Sequence, residues 1–129
     1  MYKTLVTNMM VEDVNRSLSF YKDILGFLEE AVVPGEDGKP VFAIMVKDGL
    51  YLMIQEKNSL VAEYSVMAAD KIKPTITLYI TVDDLDLLYS EIKKKYPVYK
   101  DPYITSYGAR EFAVLDPDGY ALTFAKYEG

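Results

Sequence analysis

VEDV at Val11–Val14 and VDDL at Val82–Leu85 are one signal written twice, 71 positions apart. A second pair, DGLYLMI at Asp48–Ile54 and DGYALTF at Asp118–Phe124, repeats at an offset of 70. Two matches at nearly the same offset point to internal duplication. The residues around them agree. Thr4–Val11 (TLVTNMMV) is β-prone, Asp13 suits a helix N-cap, and Val14, Leu18, Tyr21 and Leu25 form a helical stripe flanked by Phe20 and Ile24. Gly26 stands where a helix C-terminal glycine belongs. Strands are predicted over Phe27–Val33, Val41–Val46 and Leu50–Gln55, the last two joined by a tight turn at Lys47-Asp48-Gly49. The order is β-α-β-β-β.

The order then recurs. Thr75–Val82 (TITLYITV) reads as a strand, Asp84 as an N-cap, and Leu85, Leu88 and Ile92 as a helix face. Lys93-Lys94-Lys95 falls near that helix's end, where cations suit the dipole. Strands follow at Val98–Tyr99, Glu111–Leu115 and Tyr120–Ala125, with Asp116-Pro117-Asp118-Gly119 as a turn. One domain is expected over 1–129, built from half-modules of about 1–56 and 75–129. A linker of about 57–74 joins them, with a short helix around Leu60–Ala69.

Composition narrows the chemistry. The 129 residues include no histidine and no cysteine. That excludes Ser-His-Asp and Cys-His nucleophilic machinery, histidine-ligated metals, disulfides, zinc ribbons and iron–sulfur clusters. A net charge of −6 disfavours nucleic acid as a partner and mildly favours a neutral or cationic small ligand. No apolar run approaches the ~20 residues of a membrane span, and no signal-peptide pattern opens the chain, so a cytoplasmic protein without a membrane partner is expected. No Gly-rich phosphate loop occurs.

VEDVNRSLSFYKDILGF (Val11–Phe27) and YGAREFAVLDPDGYALTFAK (Tyr107–Lys126) resemble the vicinal oxygen chelate superfamily of glyoxalases, bleomycin-resistance proteins and extradiol dioxygenases. The Gly-Ala-Arg-Glu-Phe segment is closest to the metal-free bleomycin-resistance-like branch. The resemblance implies an α+β fold of two tandem βαβββ modules, their sheets curving into a cup with helices outside. It also implies a homodimer.

In metal-dependent members of that superfamily, one ligand comes from the first strand and one from the last strand of each half. Counting from the repeat places these positions at Val6, Met53, Thr77 and Thr123. None is a good ligand for zinc, iron or manganese. Side-chain alternation supports the register. Tyr51, Met53 and Gln55 share one face opposite Leu50, Leu52 and Ile54. Thr75, Thr77, Tyr79 and Thr81 oppose Ile76, Leu78, Ile80 and Val82, and Ala121, Thr123 and Ala125 oppose Leu122 and Phe124. In the first strand Val6, Asn8 and Met10 share a face.

The expected function is metal-free binding of a small aromatic or amphipathic molecule, with no cofactor and no catalytic residue. Twelve tyrosines supply rings with a polar tip, suited to such pockets. The candidate ligand-binding residues are Asn8, Tyr51, Met53, Gln55, Thr77, Tyr79, Tyr107, Arg110 and Thr123. Alternation leaves open which of Arg110 and Glu111 faces inward. Two alternatives stand beside this reading. One is a lyase or isomerase using Glu56, Glu111 and the tyrosines, its carboxylate made basic by burial. The other is a ligand-sensing regulatory module.

Overall fold

The computed structural model describes residues 1–127. The chain divides into two compact units, Met1–Ile72 and the remainder from Lys73. The first unit runs β1 (Asn8–Val11), α1 (Val14–Ser19), β2 (Leu28–Pro34), β3 (Pro40–Lys47), β4 (Leu50–Glu56) and α2 (Lys57–Glu63). The second runs β5 (Thr77–Thr81), α3 (Leu85–Lys93), β6 (Lys100–Ile104), β7 (Ala109–Leu115) and β8 (Ala121–Tyr127). The sheets are ordered β1-β4-β3-β2 and β5-β8-β7-β6. The fold is α+β, two βαβββ modules in tandem.

The duplication extends to the hydrogen-bonding register. β1 runs parallel to β4 with Asn8 opposite Met53, and β5 runs parallel to β8 with Tyr79 opposite Thr123. Those are the same two positions in each copy. Both helices start on the same device: the Asp13 carboxylate accepts from the Arg16 amide at 3.2 Å, and Asp84 accepts from the Leu87 amide at 3.1 Å.

The turns before the closing strands have diverged. Asp48 (φ 49°) and Gly49 (φ 78°) both adopt left-handed backbone, and Lys47 pairs with Leu50. This is the two-residue hairpin geometry that matches strand twist. In the second unit Asp116, 4% exposed, organises a longer turn. Its carboxylate accepts from the amides of Asp118 at 2.9 Å and Tyr120 at 3.0 Å.

Each sheet buries one face against its own helix. In the first unit Met9, Val11, Ala43, Met45, Leu52 and Ile54 are buried together with Val14, Leu18 and Tyr21. In the second, Phe112 stacks on Phe124 at 5.2 Å and takes the edge of Tyr89 from α3 at 5.3 Å, with Leu85, Ile92 and Leu122 buried around them. The alternation read from the sequence is therefore the alternation of the sheets.

Several boundaries differ from expectation. β1 begins at Asn8 rather than Thr4; ahead of it the Thr7 carbonyl accepts from the Met53 amide at 2.9 Å, and Met1–Leu5 are exposed. Val6 thus precedes the strand. The helix expected through Leu25 widens into a π-turn at Phe20–Ile24. The wider turn rotates less per residue, and it buries two consecutive aromatics, Phe20 and Tyr21, packed edge-on at 4.9 Å. α2 occupies the start of the expected linker. The Glu56 carboxylate caps it by accepting from the amides of Asn58 at 2.8 Å and Ser59 at 3.2 Å, and Leu60 is buried beneath it. β6 lies at Lys100–Ile104 rather than Val98–Tyr99, an edge strand whose irregularity between Lys100 and Tyr103 accommodates Pro102. No helix among the described residues is long and apolar enough to cross a membrane.

Candidate functional site

The helix-free face of the second sheet is built around one acidic side chain. Glu111 on β7 stands opposite Ala125 of β8 and Tyr103 of β6. Its neighbours on the same strand face are Ala109 and Ala113, both buried, as is Ala125. Three methyl groups around one carboxylate leave room above it, and tyrosines fill that room. Tyr79 reaches over from β5, two strand spacings away or roughly 9–10 Å, and donates its hydroxyl to Glu111 Oε2 at 2.7 Å.

Tyr107 donates to the same oxygen at 2.5 Å, and the Tyr103 hydroxyl approaches Oε1 at 3.4 Å. Tyr107 is aimed by the turn between β6 and β7. There the Thr105 amide donates to the Ala109 carbonyl at 2.7 Å, and Thr105 Oγ1 accepts from the Ala109 amide at 3.1 Å. Gly108 (φ 86°) supplies the left-handed residue that this turn requires. Tyr127 completes the group. Its hydroxyl lies 3.4 Å from that of Tyr79, and its ring stands 6.5 Å from the Tyr107 ring.

Glu111 is 3% exposed, whereas these four tyrosines are 41–58% exposed. The carboxylate is sealed and the rings remain available. Burial pushes the Glu111 carboxyl toward higher pKa. The hydrogen bonds from Tyr107, Tyr79 and Tyr103 and the charge of Lys100 outweigh burial and hold it below its ordinary value. The Tyr79 phenol is raised by its contact with the Tyr127 hydroxyl and then by Glu111; the Tyr107 phenol is raised first by its hydrogen bond to Glu111. At neutral pH the cluster is one carboxylate under neutral phenols. A weakly basic carboxylate and weakly acidic phenols are poor proton-transfer partners.

The corresponding face of the first sheet carries amides in place of a charge. Asn8 Nδ2 donates to Gln55 Oε1 at 2.9 Å, and Gln55 Nε2 donates to Ser59 Oγ of α2 at 3.0 Å. Tyr51 and Met53 share this face, Tyr51 being exposed.

Of the sequence candidates, the structure thus groups Asn8, Tyr51, Met53 and Gln55 on one sheet, and Thr77, Tyr79, Thr123 and Tyr107 on the other. Arg110 is not brought together with them. It lies on the helix side of β7 and pairs with Asp86 of α3 at 3.2 Å. Glu56 serves as a helix cap. Glu111, left undecided by alternation, is the centre of the second face, and Tyr103 and Tyr127 were not singled out. Tyr127 was within reach of the same reasoning, because it continues the Thr123–Ala125 alternation by one step.

The metal positions of the resemblance also have a place. Met53 and Thr123 sit at matching points of β4 and β8, Thr77 opens β5, and Val6 lies ahead of β1. A thioether, two hydroxyls and an isopropyl group do not make a donor set for a divalent transition ion. Among the described residues, no three His, Cys, Asp or Glu side chains are grouped to hold one. These residues do not fit the metal of the enzymes.

Residues 4–124 match the family described as glyoxalase/bleomycin resistance protein/dioxygenase superfamily. The chain belongs to this superfamily. Comparison with curated protein sequences returns no match. Among solved structures, it is similar to a glyoxalase/bleomycin resistance protein/dioxygenase from Nocardioides, with 20% identity and TM-score 0.78 over 100% of this chain and 87% of that one. It is also similar to a glyoxalase-related enzyme from Clostridium phytofermentans, with 15% identity and TM-score 0.78 over 99% and 97% of the two chains. A protein of unknown function from Agrobacterium tumefaciens str. C58 shares 24% identity at TM-score 0.76, over 99% and 97%. At these identities the superfamily likeness establishes the fold, and the site is argued from its own residues.

Proposed function

We propose that this superfamily member binds a small aromatic or amphipathic molecule without a metal and without transforming it. It does so as a homodimer, the ligand lying on the open tyrosine-bearing face of the second unit. The observation that carries this reading is Glu111: buried, ionised and bonded to phenols whose rings remain exposed. Exposed tyrosine rings held in place by a buried anchor give contact area at small cost in side-chain entropy. The same hydrogen bonds that fix the rings hold down the basicity of the carboxylate, which favours binding over acid–base catalysis.

The substitution of every family metal position by Val6, Met53, Thr77 or Thr123 supports the metal-free part of the proposal. The test is metal analysis of purified protein joined to a thermal-shift screen of aromatic and amphipathic compounds. The expected result is substoichiometric transition metal and a raised Tm with at least one compound class. One bound transition metal per chain, or glyoxalase turnover restored by nickel or zinc, would overturn it.

A further inference from the structure

We propose that the Glu111 face selects an organic cation: an aromatic or amphipathic molecule carrying an ammonium or amidinium head. This rests on the binding reading above and narrows its ligand class. The argument is a count of donors and acceptors. A phenol has one hydrogen to give, and Tyr79 and Tyr107 both give theirs to Glu111 Oε2. What their oxygens have left is lone pairs, one of them on Tyr79 facing the Tyr127 hydroxyl at 3.4 Å. A phenol that donates to a carboxylate is polarised by it, and its oxygen becomes a better acceptor. The exposed rings add π faces, which are also electron-rich. The carboxylate and the rings that cover it are therefore suited to a donor or a positive charge.

Two further observations agree. The Lys100 ammonium already stands 5.4 Å from the centroid of the Tyr103 ring, so one face of this wall holds a cation from the chain itself. Among the described residues Glu111 has no ion-pair partner within 4.0 Å, whereas Asp86 has Arg110 and Glu29 has Lys22. The buried charge is solvated by phenols and not cancelled by a contacting cation. A net charge of −6 draws cations at long range. An anionic ligand would meet the Glu111 charge and the π faces, both repulsive and only offset by the Lys100 ammonium at the edge of the face, and a neutral one would gain no charge attraction.

The test is calorimetric titration of the full chain with three probes sharing one ring system: 2-naphthylmethylammonium, 2-naphthylmethanol and 2-naphthoate. The ammonium is expected to bind about tenfold more tightly than the alcohol, and the carboxylate more weakly than either. Glu111→Gln removes the charge and should bring the ammonium to within about twofold of the alcohol, both measured on the same variant. Tyr79→Phe keeps ring and charge but removes one acceptor, and should weaken the ammonium by about threefold. It carries the test if Glu111→Gln does not give the native circular dichroism spectrum. Equal binding of ammonium and alcohol, or preference for the carboxylate, would overturn the cation inference and leave the binding reading standing. Binding by none of the three would overturn both.

Discussion

Replacing Glu111 with Gln should destabilise the second unit in a pH-dependent way, and the size follows from the contacts. Gln can place its carbonyl oxygen where Oε2 accepts from Tyr79 at 2.7 Å and Tyr107 at 2.5 Å, so neither bond need be lost. Each falls from the charge-assisted to the neutral class, a difference of about 1 kcal/mol per bond. The amide group then meets Tyr103 at the position of the 3.4 Å contact, where little is at stake. The expected loss at pH 7 is therefore ~2 kcal/mol, or roughly 7 °C in Tm at ~2.1 cal/mol/K of unfolding entropy per residue.

The sign of the pH dependence is fixed. Glu111 has a folded-state pKa below its unfolded value, so its stabilisation is present above the unfolded value of about 4.3 and lost as pH falls through the folded value. Urea unfolding of the two proteins should differ at pH 7 and converge below that range. A difference independent of pH, or a more stable Glu111→Gln protein at pH 7, would refute the assignment of an ionised, phenol-bonded carboxylate.

Other perturbations probe neighbouring parts of the account. Tyr79 and Tyr107 have raised folded pKa values, so they contribute stability below an unfolded value of ~10 that declines as pH rises beyond it. Absorbance at 295 nm should show these two phenols ionising above the ordinary range, and Glu111→Gln should shift them downward. Phe112→Ala removes a fully buried ring from between Phe124 and Tyr89, and should cost about 3–5 kcal/mol by urea unfolding. Asp116→Ala deletes a buried acceptor of two backbone amides; a loss of about 2–4 kcal/mol with little change in ligand affinity is expected, since the turn is structural. A large affinity change with intact stability would contradict that role.

The modules were legible because the duplicated signals are local chemistry. Asp13 and Asp84 cap helices through amides three residues on, and strand alternation separates Leu122 and Phe124 from Thr123 and Ala125. Boundaries set by partners were not legible. β1 starts at Asn8 although β4 runs back to Leu50, so the β-prone Thr4–Val6 gained no ladder while the Thr7 carbonyl still accepts from the Met53 amide, and β6 formed where β7 could pair with it despite Pro102. Glu56 read as a candidate acid because the helix after it was expected to begin at about Leu60, whereas α2 begins at Lys57. Arg110 and Glu111 are adjacent and both charged, and only the β7–β8 register separates a helix-side ion pair from a buried centre. The tyrosine cluster draws on β5, β6, β8 and a turn. No sequence period spans such a group, although alternation singled out Tyr79 and one further step along β8 reaches Tyr127.

The central claim is that ligand binds where Glu111 anchors exposed tyrosine rings. The most direct measurement is a ring-carbon NMR spectrum of protein labelled at tyrosine, recorded with and without a compound that raises Tm. The account predicts that Tyr79, Tyr103, Tyr107 and Tyr127 shift, while Tyr89 against Phe112 and Tyr96, whose hydroxyl donates to the Leu115 carbonyl at 2.6 Å, do not. Shifts confined to Tyr89, Tyr96 or the tyrosines of the first unit would contradict it.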